Sequence, residues 1–85
     1  MKKKILLVDD DQFFRNVFVD KLNYEKYKVF SASTGTEAIK KISINDFDVV
    51  ISDIGMPKVN GIDVLKFIKK SKPKTKVIMM SSYVT

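Results

Sequence analysis

Two apolar runs end in aspartate, and this placement constrains the fold of the 85-residue chain more than any other feature. Ile5-Leu6-Leu7-Val8 leads directly into Asp9-Asp10, and Val49-Val50-Ile51-Ser52 leads directly into Asp53. A short apolar run rich in β-branched residues reads as a strand buried on both faces, as in a parallel sheet under helices. Carboxylates at the carboxyl ends of such strands stand in the crevice where open α/β sheets bind ligands. Three clustered carboxylates repel one another and raise each other's pKa unless a cation joins them. Oxygen ligands of this kind suit Mg²⁺, which takes one or two carboxylates plus waters. The alternative use of an aspartate here is a helix cap. Capping by Asp10 or Asp11 accounts for one aspartate, not three.

The remaining patterns supply alternating strands and helices. Lys4 to Asp9 is predicted as the first strand, and Gln12 to Asn23 as a helix. Phe14, Val17, Phe18 and Leu22 give that helix an apolar face at helical spacing. Tyr27 to Ala32 is a shorter second strand. Thr34-Gly35-Thr36-Glu37 has the form of a capping box and opens a helix to Ile44, with Ala38, Ile39 and Ile42 as its stripe. Phe47 to Asp53 is the third strand. Asn60 caps a helix over Gly61 to Lys70, with Asp63 near its positive end. Ile62, Leu65, Phe67 and Ile68 supply its packing side. Pro73 stops the helix region, and Lys76 to Ser81 is the fourth strand. Right-handed crossovers turn this β-α-β-α-β-α-β order into a parallel sheet with helices on both faces.

Composition narrows the chemistry. The length allows one small domain. Without cysteine there is no disulfide framework or thiolate metal site, and without histidine no imidazole base or ligand. The apolar run after Lys2-Lys3-Lys4 is too short for a signal peptide or membrane span, so a cytoplasmic location is expected. Sixteen Lys and Arg stand against ten Asp and Glu, a net charge of +6, and Arg15 is the one cation that is not Lys. Lys66, Lys69, Lys70, Lys72, Lys74 and Lys76 crowd one stretch. Nucleic-acid binding would call for interleaved Arg and aromatic residues, so these lysines read as a solvated face, and no direct nucleic-acid or membrane partner is expected. A nucleotide site is also disfavoured, because neither Gly-x-Gly-x-x-Gly nor a Gly-Lys-Ser/Thr loop is present.

Asp53-Ile54-Gly55-Met56-Pro57-Lys58-Val59-Asn60-Gly61 resembles the phosphoacceptor loop of response-regulator receiver domains. Lys4 to Asp11 is similar to their first strand and acidic pair, and Val77-Ile78-Met79-Met80-Ser81-Ser82 to their fourth strand. The resemblance runs from Lys3 to Ser82. It implies a CheY-like, flavodoxin-like doubly wound α/β sheet of order 2-1-3-4-5, here truncated to four strands and three helices in a single domain. It further implies Asp53 as phosphoacceptor, Asp9 and Asp10 with the Gly55 carbonyl as Mg²⁺ ligands beside Asp53, and Ser81 as the switch hydroxyl, with Ser82 its neighbour. The implied partner is a histidine kinase or phosphotransfer protein of a two-component phosphorelay. The chain would be phosphorylated rather than turn over a substrate, so no enzyme activity is expected. Lys72-Pro73 looks like the family's Lys-Pro pair but precedes the fourth strand instead of following the fifth, so no function is carried onto Lys72.

Measured against that family, the chain is expected to lack the fourth helix, the fifth strand with its active-site Lys, and the fifth helix. Losing one preorganised charge commonly costs ~2.7–4 kcal/mol of transition-state stabilisation, so phosphorylation is expected to be impaired. The fourth strand becomes an edge, and one sheet face loses a covering helix. Phe14, Val17, Phe18, Leu6 and Met79 are predicted to contribute to an exposed patch that favours a homodimer, and a dimerising module that no longer signals is the rival function.

Overall fold

Four five-residue runs, three of them dominated by Val, Ile, Leu and Met, pair side by side, and the two central ones are too apolar to leave either face in water. The computed structural model describes residues 2–56 and 58–80. Within them run β1 (Lys4–Val8), α1 (Gln12–Tyr24), β2 (Lys28–Ala32), α2 (Gly35–Ile44), β3 (Val49–Asp53), α3 (Gly61–Ser71) and β4 (Lys76–Met80). The sheet is parallel, in the order β2-β1-β3-β4. This is the flavodoxin-like arrangement that the sequence predicts, with element ends shifted by one or two residues. Ser81, the expected end of the fourth strand, lies outside the described residues.

Side-chain alternation divides the core into two layers. Leu6, Val8 and Val50 point into the layer under α2 and α3, where they meet Ala38, Ile42, Val64 and Ile68. Ile5, Leu7 and Ile51 point to the other face, where α1 lays Phe18, Val19 and Leu22 against them. The first layer is the larger, and α1 has no fully buried residue.

Two expectations about faces are corrected. Leu6 is wholly buried, and Met79 is half-buried, so neither forms an exposed patch. The register aligns Leu7, Ile51 and Ile78 across the sheet, and it is Ile78, 53% exposed, that stands open on the α1 side. Beside it this face opens into a groove of about 970 Å³ lined in part by Ile5, Leu22, Val49 and Ile51. Phe14 and Val17 are exposed as expected, whereas Phe18, expected in the same patch, is half-buried against the core under α1. On α3 the packing residues are Val64 and Ile68, with Leu65 and Phe67 half-buried, whereas Ile62 is 40% exposed.

The caps also differ in detail. The Thr34 hydroxyl accepts from the Glu37 N–H at 3.0 Å, but the Glu37 carboxylate reaches past the cap to Ser33, accepting from its N–H at 2.8 Å and its hydroxyl at 3.0 Å. The reciprocal capping box instead opens α3. Asn60 accepts from the N–H groups of Ile62 and Asp63, and Asp63 accepts from the Asn60 N–H. Among the described residues no helix is long and apolar enough to cross a membrane.

Candidate functional site

β1 and β3 are neighbours in register, Val8 beside Ser52, so the residues that follow each strand emerge together at the carboxyl edge of the sheet. There one carboxylate oxygen from each of Asp9, Asp10 and Asp53 lies within 4.8 Å of the other two. Asp9 and Asp53 are buried, and Asp10 faces solvent.

Local backbone bonds fix these side chains. The Asp9 N–H donates to the Ala32 carbonyl at 3.1 Å, and its carboxylate accepts from the Asp11 N–H at 2.9 Å. The Asp53 carboxylate accepts from the Gly55 N–H at 3.1 Å. Both are the two-residue turns that aspartate makes with the chain ahead of it. Asp11 is the cap of α1, accepting from the Phe14 N–H at 3.1 Å. The capping alternative is therefore settled on Asp11, which leaves Asp10 in the cluster.

The cluster carries uncompensated negative charge. Among the described residues none of the three carboxylates has a lysine or arginine nitrogen within 4.0 Å. Burial pushes Asp9 above the usual carboxylate range, and the charges of Asp53, Asp10 and Asp11 push it further, against the lowering effect of the Asp11 N–H. Burial thus outranks the mutual repulsion that the sequence suggested as the cause. Three oxygen donors, two of them buried and none in an ion pair among the described residues, fit a hard divalent cation such as Mg²⁺.

The loop after Asp53 closes tightly over this edge. A Cβ on Gly61 would stand 2.2 Å from the Asp53 carbonyl oxygen, so only glycine lets the start of α3 sit against the strand end. A Cβ on Gly35 would meet the Val59 carbonyl oxygen at 2.0 Å, which packs the same loop against the start of α2. β4 is tied in where the Ile54 N–H donates to the Met80 carbonyl at 2.8 Å. Gly55, expected to offer its carbonyl, stands exposed in the turn next to Asp53. Ser81, Ser82 and Pro57 lie outside the described residues. One contact escaped the sequence reading: the Arg15 guanidinium donates to the Asp9 carbonyl at 2.7 Å. Its only signal was compositional, a single arginine among lysines.

A family described as response regulator receiver domain matches residues 5–85. The chain belongs to the response-regulator receiver-domain family. The response regulator SaeR of Staphylococcus aureus (strain USA300) is 43% identical over 68 residues, which cover 80% of this chain and 29% of SaeR. The chain thus spans less than a third of the curated relatives' length. A CheY-like receiver domain protein from Methanospirillum hungatei JF-1 superposes with a TM-score of 0.94 at 33% identity, over 100% of this chain and 68% of that one. The response regulator TrrA from Thermotoga maritima, solved in complex with Mg(2+)-BeF, superposes with a TM-score of 0.90 at 38% identity, over 95% of this chain and 70% of that one.

Proposed function

We propose that this receiver module accepts a phosphoryl group on Asp53 with the help of Mg²⁺. The observation that carries the proposal is the convergence of three carboxylates without a cationic partner at the ends of β1 and β3. Asp9, Asp10, Asp53 and the Gly55 carbonyl would hold the ion, whose charge would offset that on the phosphoryl oxygens. The Gly55 N–H holds one Asp53 oxygen, and the other is left to attack phosphorus in line. The bond from phosphorus to the donor breaks as the acyl phosphate forms. Burial around Asp53 restricts water that would hydrolyse the product. Ser81 would bond the acyl phosphate.

The donor would be a histidine kinase or phosphotransfer protein, and the setting the cytoplasm. The chain is modified rather than turning over a substrate, so it would not act as an enzyme. Incubation with acetyl phosphate and Mg²⁺, read by intact mass, should give a phosphorylated species that Asp53→Asn abolishes. Absence of any Mg²⁺-dependent adduct at Asp53 would overturn the assignment.

A homodimer is the second part of this reading. It is favoured by β4, which pairs only with β3 among the described strands, and by the open row ending at Ile78. A twofold partner could cover the same patch on both chains.

A further inference from the structure

We propose that Arg15 is a positioning residue for the acidic site: its guanidinium clamps the Asp9 peptide and so holds the Asp9–Asp10 pair in a cation-binding arrangement. The role rests on the receiver reading above and adds a residue to it.

Arg15 lies in the first turn of α1, where helical side chains lean toward the amino terminus. Its Nη1 donates to the Asp9 carbonyl at 2.7 Å, while its own backbone N–H donates to the Asp11 carbonyl at 3.0 Å. Two further bonds complete the set. The Asp9 carboxylate accepts from the Asp11 N–H, and the Asp11 carboxylate accepts from the Phe14 N–H. The Asp9 and Asp11 carbonyls and the Asp11 carboxylate are therefore bound to the helix start, and the Asp9 carboxylate is bound to Asp11. The remaining Asp9 backbone group, its N–H, is taken by Ala32. A rigid peptide between Asp9 and Asp10 fixes where both side chains leave the backbone.

The chemistry of the side chain favours this role over a salt bridge. Among the described residues Arg15 forms no ion pair, although three carboxylates cluster nearby. A guanidinium offers five N–H donors in a fixed plane and stays charged, so it can hold a carbonyl in one direction. Groups that orient metal ligands typically govern affinity 10- to 100-fold when removed. Arg15 acts on the backbone of a ligand residue, and the lower end of that range is expected.

Position and charge make opposite predictions. A positive side chain near a cation site disfavours the cation, so if charge alone mattered, removing Arg15 would tighten Mg²⁺ binding. If Arg15 positions the aspartates, removal weakens it. The experiment is Mg²⁺ titration of the full chain and of Arg15→Met, Arg15→Ala and Arg15→Lys. It is followed through the amides of residues 9–11 and 53–55, with metal-free melting measured in parallel. Arg15→Met keeps the aliphatic packing if Arg15→Ala fails to fold. Affinity should fall about tenfold in the variants without a donor and stay within about threefold in Arg15→Lys, which retains one. The Asp10 amide resonance of metal-free Arg15→Met should also move, because the peptide carbonyl it shares loses its donor. Unchanged or tighter binding in Arg15→Met, with or without a lower melting temperature, would overturn the proposal. A wild-type chain that binds no Mg²⁺ would instead sink the Mg²⁺-assisted phosphoacceptor reading, and this role with it.

Discussion

Asp9 is held in a setting that opposes its own charge. Its folded pKa lies above the unfolded value because of burial first, then Asp53, Asp10 and Asp11. The folded state therefore keeps this proton longer than the unfolded chain does. For this group, stability of the metal-free protein is greatest below the unfolded pKa and declines as pH rises through the interval up to the folded value. Asp9→Asn should raise the metal-free melting temperature at neutral pH, since the Asp11 N–H keeps an oxygen acceptor. It should also remove any stabilisation that Mg²⁺ would give at the proposed site; thermal melts with and without the ion check both. An unchanged metal-free melt would show that burial of this carboxylate is harmless. Glu37 has the opposite sign. The Ser33 N–H leads in lowering its pKa, so its contribution is present at neutral pH and lost as pH falls through the folded value. The aspartates were legible in the sequence because each ends an apolar run. Arg15 was not, because a lone arginine on a helix gives no sign of which carbonyl it will reach.

At the scale of elements, the strands and helices were legible through runs and spacing, while their faces were legible only in part. A strand buried on both sides shows no alternation, so nothing in Leu6-Leu7 or Ile78-Met79 says which residue faces which helix layer. Register with β3 decides it, and register is a tertiary fact. On α3 the presence of five apolar residues between Ile62 and Ile68 left two possible stripes. The close seating of Gly61 on Asp53 selected the one through Val64. Gly61→Ala should cost about 3 kcal/mol, the upper end for overpacking, because the obstructing atoms are backbone and cannot rotate away. Asn60→Ala removes the acceptor for two N–H groups and should cost about 1 kcal/mol. Denaturant melts rank the two, and an Asn60→Ala loss larger than that of Gly61→Ala would contradict the packing account.

For the molecule as a whole, the two sheet faces differ in how fully the described residues cover them. The layer under α2 and α3 is closed, whereas the α1 layer leaves the Leu7–Ile51–Ile78 row open at β4. Ile78→Glu tests the proposed dimer more cleanly than a change at Met79, because Ile78 faces the open side. Sedimentation should show wild-type mass rising with concentration toward twice the monomer, with Ile78→Glu remaining monomeric and folded. A wild type that stays monomeric across the same range removes the dimer. The acidic edge has its own consequence at this scale. Its carboxylates come from the ends of the two central strands and are far apart along the chain, so the unfolded polypeptide cannot gather them. A cation bound there would act as a removable cross-link between the first and second halves of the fold. Its concentration would then tune how long the two halves stay together.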